Sequence, residues 1–404
     1  MATPITGAIS FSDLNTALGL TSTATVSLND TAVRQLSNQL SGTATLNNAH
    51  ASASINSTTT NVNLISGIFG SSSTATTYNV RIPSSVTVGA TSGNNALTTG
   101  QFPSGSTIVI NNYGAIQAYG GAASAAGGDA INANYGSQTV TINNQSGATI
   151  YGGGGGGGSG GSGGSGGAGG AGGGGYYTVS GYNYQYCIYS YVIQQIHCTC
   201  CGANRYYNYW TWAGLNVYNC YSSTVTPGRT VTTGGHTYIV GILEAGTCYC
   251  GEYQIGQYQT NNIYTSGGSG GSGGAGGGGG TGGVGQGYGQ SNTAGSVGSG
   301  GAGGSAGAGG GTNAGSGGSG GTGGTGGTGG TGGTWGSAGA SGATGNSGAT
   351  GNTGASGNNG GGAGGSAGSS GTGGSSGGSA GRYLVKGANS VTLNNSGTVL
   401  GGLA

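Results

Sequence analysis

The sequence predicts a mostly β protein built around a bundle of polyglycine-II helices, with short helices at its N-terminus and a small aromatic, cysteine-rich β insert. Three observations carry that prediction. Glycine recurs with a period of three: from Gly267 the chain reads GGSGGSGGA, from Ser319 it reads SGGTGGTGGTGGTGGT, and from Gly336 to Gly360 glycine itself holds every third position. An alternating strand unit that runs into Asn-Asn occurs three times, twice before the glycine bulk and once after it. Between two glycine tracts, residues 176–265 hold seventeen of the 24 tyrosines and all seven cysteines.

A period of three is that of the polyproline-II helix, which makes no internal hydrogen bonds and points its N–H and C=O groups sideways. The tract 266–381 has almost no hydrophobic side chain, no charge and no proline, and 152–175 shows the same period. It is therefore neither a usual collagen sequence nor a segment that apolar burial could order. Order here must rest on backbone hydrogen bonds between neighbouring segments, each worth ~0.5–1.5 kcal/mol net, with weaker Cα–H···O contacts beside them. The alternative is a flexible Gly/Ser/Thr linker. A linker joins two bodies, and here only the strand-like Arg382–Ala404 follows.

Charge narrows the function classes. Six Lys and Arg stand against five Asp and Glu, a net charge of +1. So few cations cannot neutralise many phosphates, which excludes nucleic acid as a partner. No run reaches the ~18 apolar residues of a membrane-spanning helix, so no membrane insertion is expected. The opening MATPITGAISFSD lacks the positive region and apolar run of a secretory signal.

Residues 1–42 hold the helical signals. Ser10-Phe11-Ser12-Asp13 and Ser27-Leu28-Asn29-Asp30 read as N-caps with an acidic residue three positions on. They predict helices over Leu14–Leu20 and Thr31–Leu40. Each is too short to stand alone, so another copy of the chain or a larger assembly is expected to support them. Residues 43–75 are rich in Ser, Thr and Asn and read as an extended connector with edge strands. Residues 76–151 and 382–404 read as a β platform. In Thr107–Ile116, Thr139–Ile150 and Ser390–Leu400 an alternating strand meets Asn-Asn and Gly, residues that supply the positive φ of turns, and then a short apolar strand. The glycine helices, 152–175 and 266–381, would leave this platform and return to it.

The insert 176–265 is the candidate recognition element. Tyr and Trp offer large contact area with few rotors and a polar handle. Alternation in Tyr182–Val192 and His236–Leu243 makes part of them the core of a small β domain. Arg205, Tyr206, Tyr207, Tyr209, Trp210 and Trp212 form the densest unpatterned run and are the candidate contact residues, expected on an exposed loop. The cysteines are Cys187, Cys198, Cys200, Cys201, Cys220, Cys248 and Cys250. Seven is odd, so a purely disulfide account leaves one thiol over. Three readings stay open: disulfide staples, a structural zinc site on Cys198, Cys201, Cys248 and Cys250, and plain buried thiols. No other cofactor is implied, since no GxxxxGK[ST] phosphate loop occurs. Glu244 and Glu252, near His236, are formal candidates for glycan hydrolysis. Solvated or loop-capping carboxylates account for them better, and the chain reads as a non-enzyme.

Two resemblances sharpen the reading. GAISFSDLNTALGLTSTATVSLNDTAVRQL is similar to the N-terminal stretch of many tailed-phage virion proteins, which implies attachment to a virion. ALTTGQFPSGSTIVINNYGAIQAYGG (Ala96–Gly121), GGDAINAN, VTINNQSGATIYGGGGGGG and AGRYLVKGANSVTLNNSGTVLGG resemble, in that order, the phrases of the distal long-tail-fibre adhesins of T-even-type bacteriophages. That resemblance spans roughly 76–404. It implies a polyglycine-II sandwich whose intervening variable loops contact a bacterial surface receptor. Two departures stand out: this chain carries its own virion-type N-terminus, and its variable material is concentrated in one large insert.

The expectation is thus a receptor-binding protein of a phage tail, assembled in the host cytoplasm. Residues 1–42 would join other virion proteins, and the insert would recognise a host surface protein or glycan. Several copies per virion, as a homo-oligomer, would multiply weak neutral contacts. The competing expectation is a spike, decoration or sheath component without a receptor. A glycine-rich bacterial surface protein is a third, against which the missing secretion signal counts.

Overall fold

The computed structural model describes residues 2–178 and 262–404 with their side chains, and the strand backbone at 179–185, 193–198, 203–208, 211–212, 215–216, 230–233, 236–244 and 252–261. Three five-stranded parallel sheets form a three-sided solenoid of five rungs. The first side stacks Ser52–Ser54, Thr77–Ile82, Thr107–Asn112, Thr139–Asn144 and Ser390–Asn395. The second stacks Thr59–Thr60, Thr87–Gly89, Ala115–Gln117, Thr149–Tyr151 and Thr398–Leu400. The third stacks Val62–Asn63, Leu97–Thr98, Ile131–Asn132, Arg382–Val385 and Gly402–Leu403.

The alternation read from the sequence has a simple consequence here. Every second side chain points inward, and parallel register puts like residues above like. Val80, Ile110, Ile142 and Leu393 make one inner column, and Val88, Ile116, Ile150 and Val399 another. All but those of the last rung are fully buried, each worth ~1.5–3 kcal/mol of transfer free energy.

The repeated unit is not a strand–turn–strand hairpin. Its two strands lie in different sheets, and its asparagines are the last residues of the first strand. They form two amide ladders. Asn394 donates to Asn143, which donates to Asn111, at 2.8 Å each; Asn112 donates to Asn144 at 2.8 Å, which donates to Asn395 at 2.7 Å. Stacked identical amides need parallel in-register rungs, which a hairpin cannot supply. Residues 43–75 are likewise more than a connector: Ser52–Ser54, Thr59–Thr60 and Val62–Asn63 are the first rung.

The N-terminal helices close that end. Helix α1 (Phe11–Ala17) has Ser10 as N-cap in a reciprocal capping box with Asp13, and it ends before Gly19 at φ +76°. Helix α2 (Thr31–Leu36) has Asp30, and not Ser27, at its N-cap; the Asp30 carboxylate makes no cap bond and accepts instead from Ser27 N–H in the turn ahead of the helix. Helix α1 begins and ends three residues earlier than expected, and α2 is shorter than expected, being stopped by Asn38 in the left-handed region. Their support comes from the chain itself. Leu14, Ala17, Val33, Leu36 and Ala49 form a second buried cluster. Gln35 of α2 accepts from Arg81 Nε at 2.8 Å, and Asn56 Nδ2 donates to Ala17 O at 3.1 Å.

At the corner between the second and third sides, the fourth rung is interrupted by residues 152–381. Six extended glycine-rich segments, 152–174, 266–287, 291–311, 314–334, 337–357 and 361–381, run back and forth there. Their backbone bonds go sideways and step by three: Gly157, Gly160 and Gly163 donate to Gly283, Gly280 and Gly277, all at 2.8 Å. Segment 152–174 bonds to 266–287, 314–334, 337–357 and 361–381; segment 314–334 bonds also to 266–287, 291–311 and 337–357. Those pairings describe two layers of three, 361–381, 152–174, 266–287 over 337–357, 314–334, 291–311. Residues 120–128, from the same corner of the third rung, lie on the first layer through Gly121 to Gly154 and Gly127 to Ser379. The returning chain is fixed by Arg382, whose backbone and guanidinium both bond Asp129, the closest ion-pair distance being 2.7 Å.

Candidate functional site

The segments alternate in direction, so their turns fall at two ends. The near end abuts the solenoid: Tyr288 N–H donates to Ala118 O at 2.8 Å, and the Trp335 ring lies 5.4 Å from that of Tyr151. The far end holds the turns 311–314 and 357–360 and the base of the insert. There the chain leaves at Gly175 and returns at Thr265 as one antiparallel ribbon, Gly175–Gln185 with Glu252–Thr265.

The far turns grip that ribbon. Tyr176 N–H donates to Asn358 Oδ1 at 2.8 Å, and Asn358 Nδ2 donates back to Tyr176 O at 2.9 Å. Asn313 Nδ2 reaches the same carbonyl at 3.2 Å, and Thr265 Oγ1 donates to Thr312 O at 2.7 Å. Asn313 itself sits at φ +60°, a conformation that asparagine tolerates better than most residues. Tyr176 and Tyr264 pair across the strands with ring centroids 6.1 Å apart, and Tyr264 is 66% exposed. The sequence reading missed Asn313, Asn358 and Thr265. For two of them a signal was available: Thr312-Asn313 falls where the three-residue glycine phase breaks, and Asn358-Asn359 fills the last triplet before it shifts after Gly360.

The ribbon widens into a four-stranded sheet in the order Gly175–Gln185, Glu252–Thr265, His236–Glu244, Thr230–Thr233. A separate hairpin pairs Ile193–Cys198 with Ala203–Asn208. Arg205, Tyr206 and Tyr207 therefore lie on a strand, opposite Ile196, Gln195 and Gln194, and not on the expected loop. Tyr and its neighbours favour a pleated ladder, which accounts for the difference. Trp212 is on the two-residue strand Thr211–Trp212, opposite Leu215. Tyr209 and Trp210 lie outside the described residues. Cys198 ends its strand opposite Ala203; Cys201, Cys248 and Cys250 lie outside the described residues. Among the described residues no group of three or more His, Cys, Asp or Glu could hold a metal ion. Register sets Glu244 opposite Glu252.

At the base of the insert the described residues place tyrosine rings and side-chain amides on the ends of the glycine segments. Residues 43–237 match the family model of the phage tail fibre adhesin Gp38. The chain resembles phage tail-fibre adhesins. The match takes in the solenoid before the glycine bulk, the first glycine segment and most of the insert. No curated protein and no solved structure matches the chain.

Proposed function

We propose that the chain is a non-enzymatic adhesin of a phage tail that binds a host surface protein or glycan through the insert 176–265. The observation that carries this reading is the place of the insert: both of its ends join the glycine lattice at the end away from the solenoid, in a chain matched to tail-fibre adhesins. We read the six segments as polyglycine-II helices. At ~3.1 Å per residue, segments of roughly twenty residues then hold the insert about 60 Å from the solenoid. Residues 1–42 keep exposed Phe11, Leu20 and Leu40, which fits contact with other virion proteins.

Binding of the purified full-length chain to host cells tests the reading. Arg205, Tyr206 and Tyr207 replaced together by Ser are expected to lower adsorption at least tenfold while the melting profile stays unchanged. Adsorption equal to that of the native chain would move the weight to a tail component without a receptor.

A further inference from the structure

The turn that mounts the insert also carries the most reactive backbone pair of the chain. Among all the asparagines, Asn359 alone precedes glycine. Glycine has no Cβ to crowd its own nitrogen, so an asparagine before it is the one most open to attack by the following backbone amide. The turn Gly357–Gly360 joins segments 337–357 and 361–381. Its two central residues hold the chain where it leaves the lattice. The Asn358 side chain bonds both the N–H and the C=O of Tyr176, and Asn359 N–H donates to Gly174 O at 3.0 Å.

The other asparagines of the lattice are tied, and bulkier residues follow them. Asn313 precedes Ala314 and donates to Tyr176 O; Asn346 precedes Ser347 and donates to Thr325 Oγ1 at 2.6 Å; Asn352 precedes Thr353 and donates to Ser319 Oγ at 2.8 Å. Asn359 is exposed, and among the described residues its side chain has no hydrogen-bond partner. The nitrogen beside it is lightly held. Gly360 N–H reaches Gly357 O at 3.4 Å, against 2.9 Å for the return bond from Gly357 N–H to Gly360 O. The longer bond is close to the limit of a hydrogen bond, so little must be broken to free that nitrogen.

We propose that Asn359 is a site of spontaneous covalent modification at the root of the insert, and that its conversion loosens the grip on Tyr176. The Gly360 backbone nitrogen attacks Cγ of Asn359 and gives up its proton, and the side-chain nitrogen leaves as ammonia. A five-membered succinimide results. Water then opens the ring at either carbonyl. Attack at the side-chain carbonyl gives aspartate, and attack at the main-chain carbonyl gives isoaspartate. Water is consumed, ammonia is released, and nothing is oxidised or reduced. Both products place a carboxylate in a turn that has no charge. Isoaspartate also adds a methylene to the main chain between the Cα of residue 359 and Gly360. The turn then loses the spacing that sets Asn358 on Tyr176 and the N–H of residue 359 on Gly174. Resting on the reading of residues 176–265 as the recognition element, the mounting of that element is the part of the molecule that ages first.

The test holds the folded full-length chain warm at mildly alkaline pH, with a parallel sample at mildly acidic pH. Samples taken over time are unfolded, digested and weighed by mass spectrometry, and isoaspartate is labelled with an isoaspartyl methyltransferase. The proposal expects a gain of about 1 Da on the peptide that holds residue 359, the mass change of an amide becoming an acid. Conversion there should run at least tenfold faster than at any other asparagine, faster at alkaline pH, and with methyl label on the same peptide. Hydrogen exchange at Tyr176 should rise at least fivefold in the converted chain. Asn359→Ser should age with neither change, and Asn359→Gln serves if that variant fails to fold. Conversion at Asn359 no faster than at the other asparagines overturns the proposal. So does a fully converted chain whose exchange at Tyr176 equals that of the fresh protein, or an aged Asn359→Ser chain whose exchange there rises as much as the native one. All these readouts are taken without cells, so they stand or fall apart from the receptor-binding reading.

Discussion

The solenoid and the glycine lattice solve one problem in opposite ways. Both must order a long chain of nearly uncharged residues. In the solenoid the side chains hold the backbone: columns such as Val80–Ile110–Ile142–Leu393 fill the interior, and the strand bonds follow. In the lattice the backbone holds itself, and side chains are excluded from every face that meets a neighbour. Segment 152–174 has four neighbouring segments and keeps glycine at two of every three positions. Segment 337–357, at the margin of the second layer, keeps it at one of three. In 337–357 the glycine at every third position is the one that meets a neighbouring backbone, as Gly339, Gly342 and Gly345 meet the carbonyl groups of Gly156, Ser159 and Ser162. The two regions should fail under different substitutions.

The largest difference is expected inside the lattice. A Cβ on Gly163 would overlap the carbonyl group of Gly324, and its own N–H donates to Gly277 O. Gly163→Val must push segments apart and break the two or three bonds around it, at ~0.5–1.5 kcal/mol each before strain is added. Loss of protease resistance in 152–174 and a lowered melting temperature are the readouts. Gly303, on an outer face, has nothing within 4 Å of its Cβ position, so Gly303→Ala should change stability by no more than ~0.5 kcal/mol. Equal damage from both substitutions would break the account of the lattice as backbone-held.

The solenoid should respond to cavities instead. Ile142 is fully buried between Ile110 and Leu393, and Ile142→Ala is expected to cost ~2–5 kcal/mol in denaturant unfolding. Asn144 is an intermediate case, because its amide links Asn112 above to Asn395 below. Asn144→Ala should cost ~1–3 kcal/mol, chiefly by leaving Asn112 Nδ2 with only its bond to Thr149 O. A neutral result would remove the amide ladders from the forces that set the register.

Legibility followed the same division. The three-residue period, visible in bare letters, marks the segments whose bonds step by three. The alternating units gave the strands at Thr107–Asn112, Thr139–Asn144 and Ser390–Asn395, yet not their arrangement. Asn-Asn-x-Gly reads equally as a hairpin turn or as a solenoid corner, and only the return of the same phrase in parallel register separates them. The first rung was illegible because strands of two or three residues, such as Thr59–Thr60, carry no period. At the far end, composition located the insert through its tyrosines. The strand at Ala203–Asn208 was hidden by a run aromatic at every face, in which no alternation can show.

The smallest expected effect lies where one side chain caps one stretch of backbone. In α1, Ser10 Oγ accepts from Asp13 N–H at 3.2 Å, and the Asp13 carboxylate accepts from Ser10 N–H at 2.8 Å and from its hydroxyl at 2.7 Å. The Ser10 hydroxyl first, and then its backbone N–H, hold the Asp13 carboxyl below its ordinary value. A depressed carboxyl stabilises the fold above the unfolded-state pKa of ~3.9, and that contribution is lost as pH falls through the lower folded value. The group is exposed, so solvent screening keeps the acid effect small. Ser10→Ala should cost about 1 kcal/mol near neutrality, and Asp13→Asn should remove the dependence between pH 5 and 2 that the native α1 shows in its amide-exchange rates. Gly163→Val should leave those rates untouched, since α1 lies against the first rung, away from the lattice. Exchange in α1 that rises with lattice damage would mean that the solenoid and the lattice unfold as one unit.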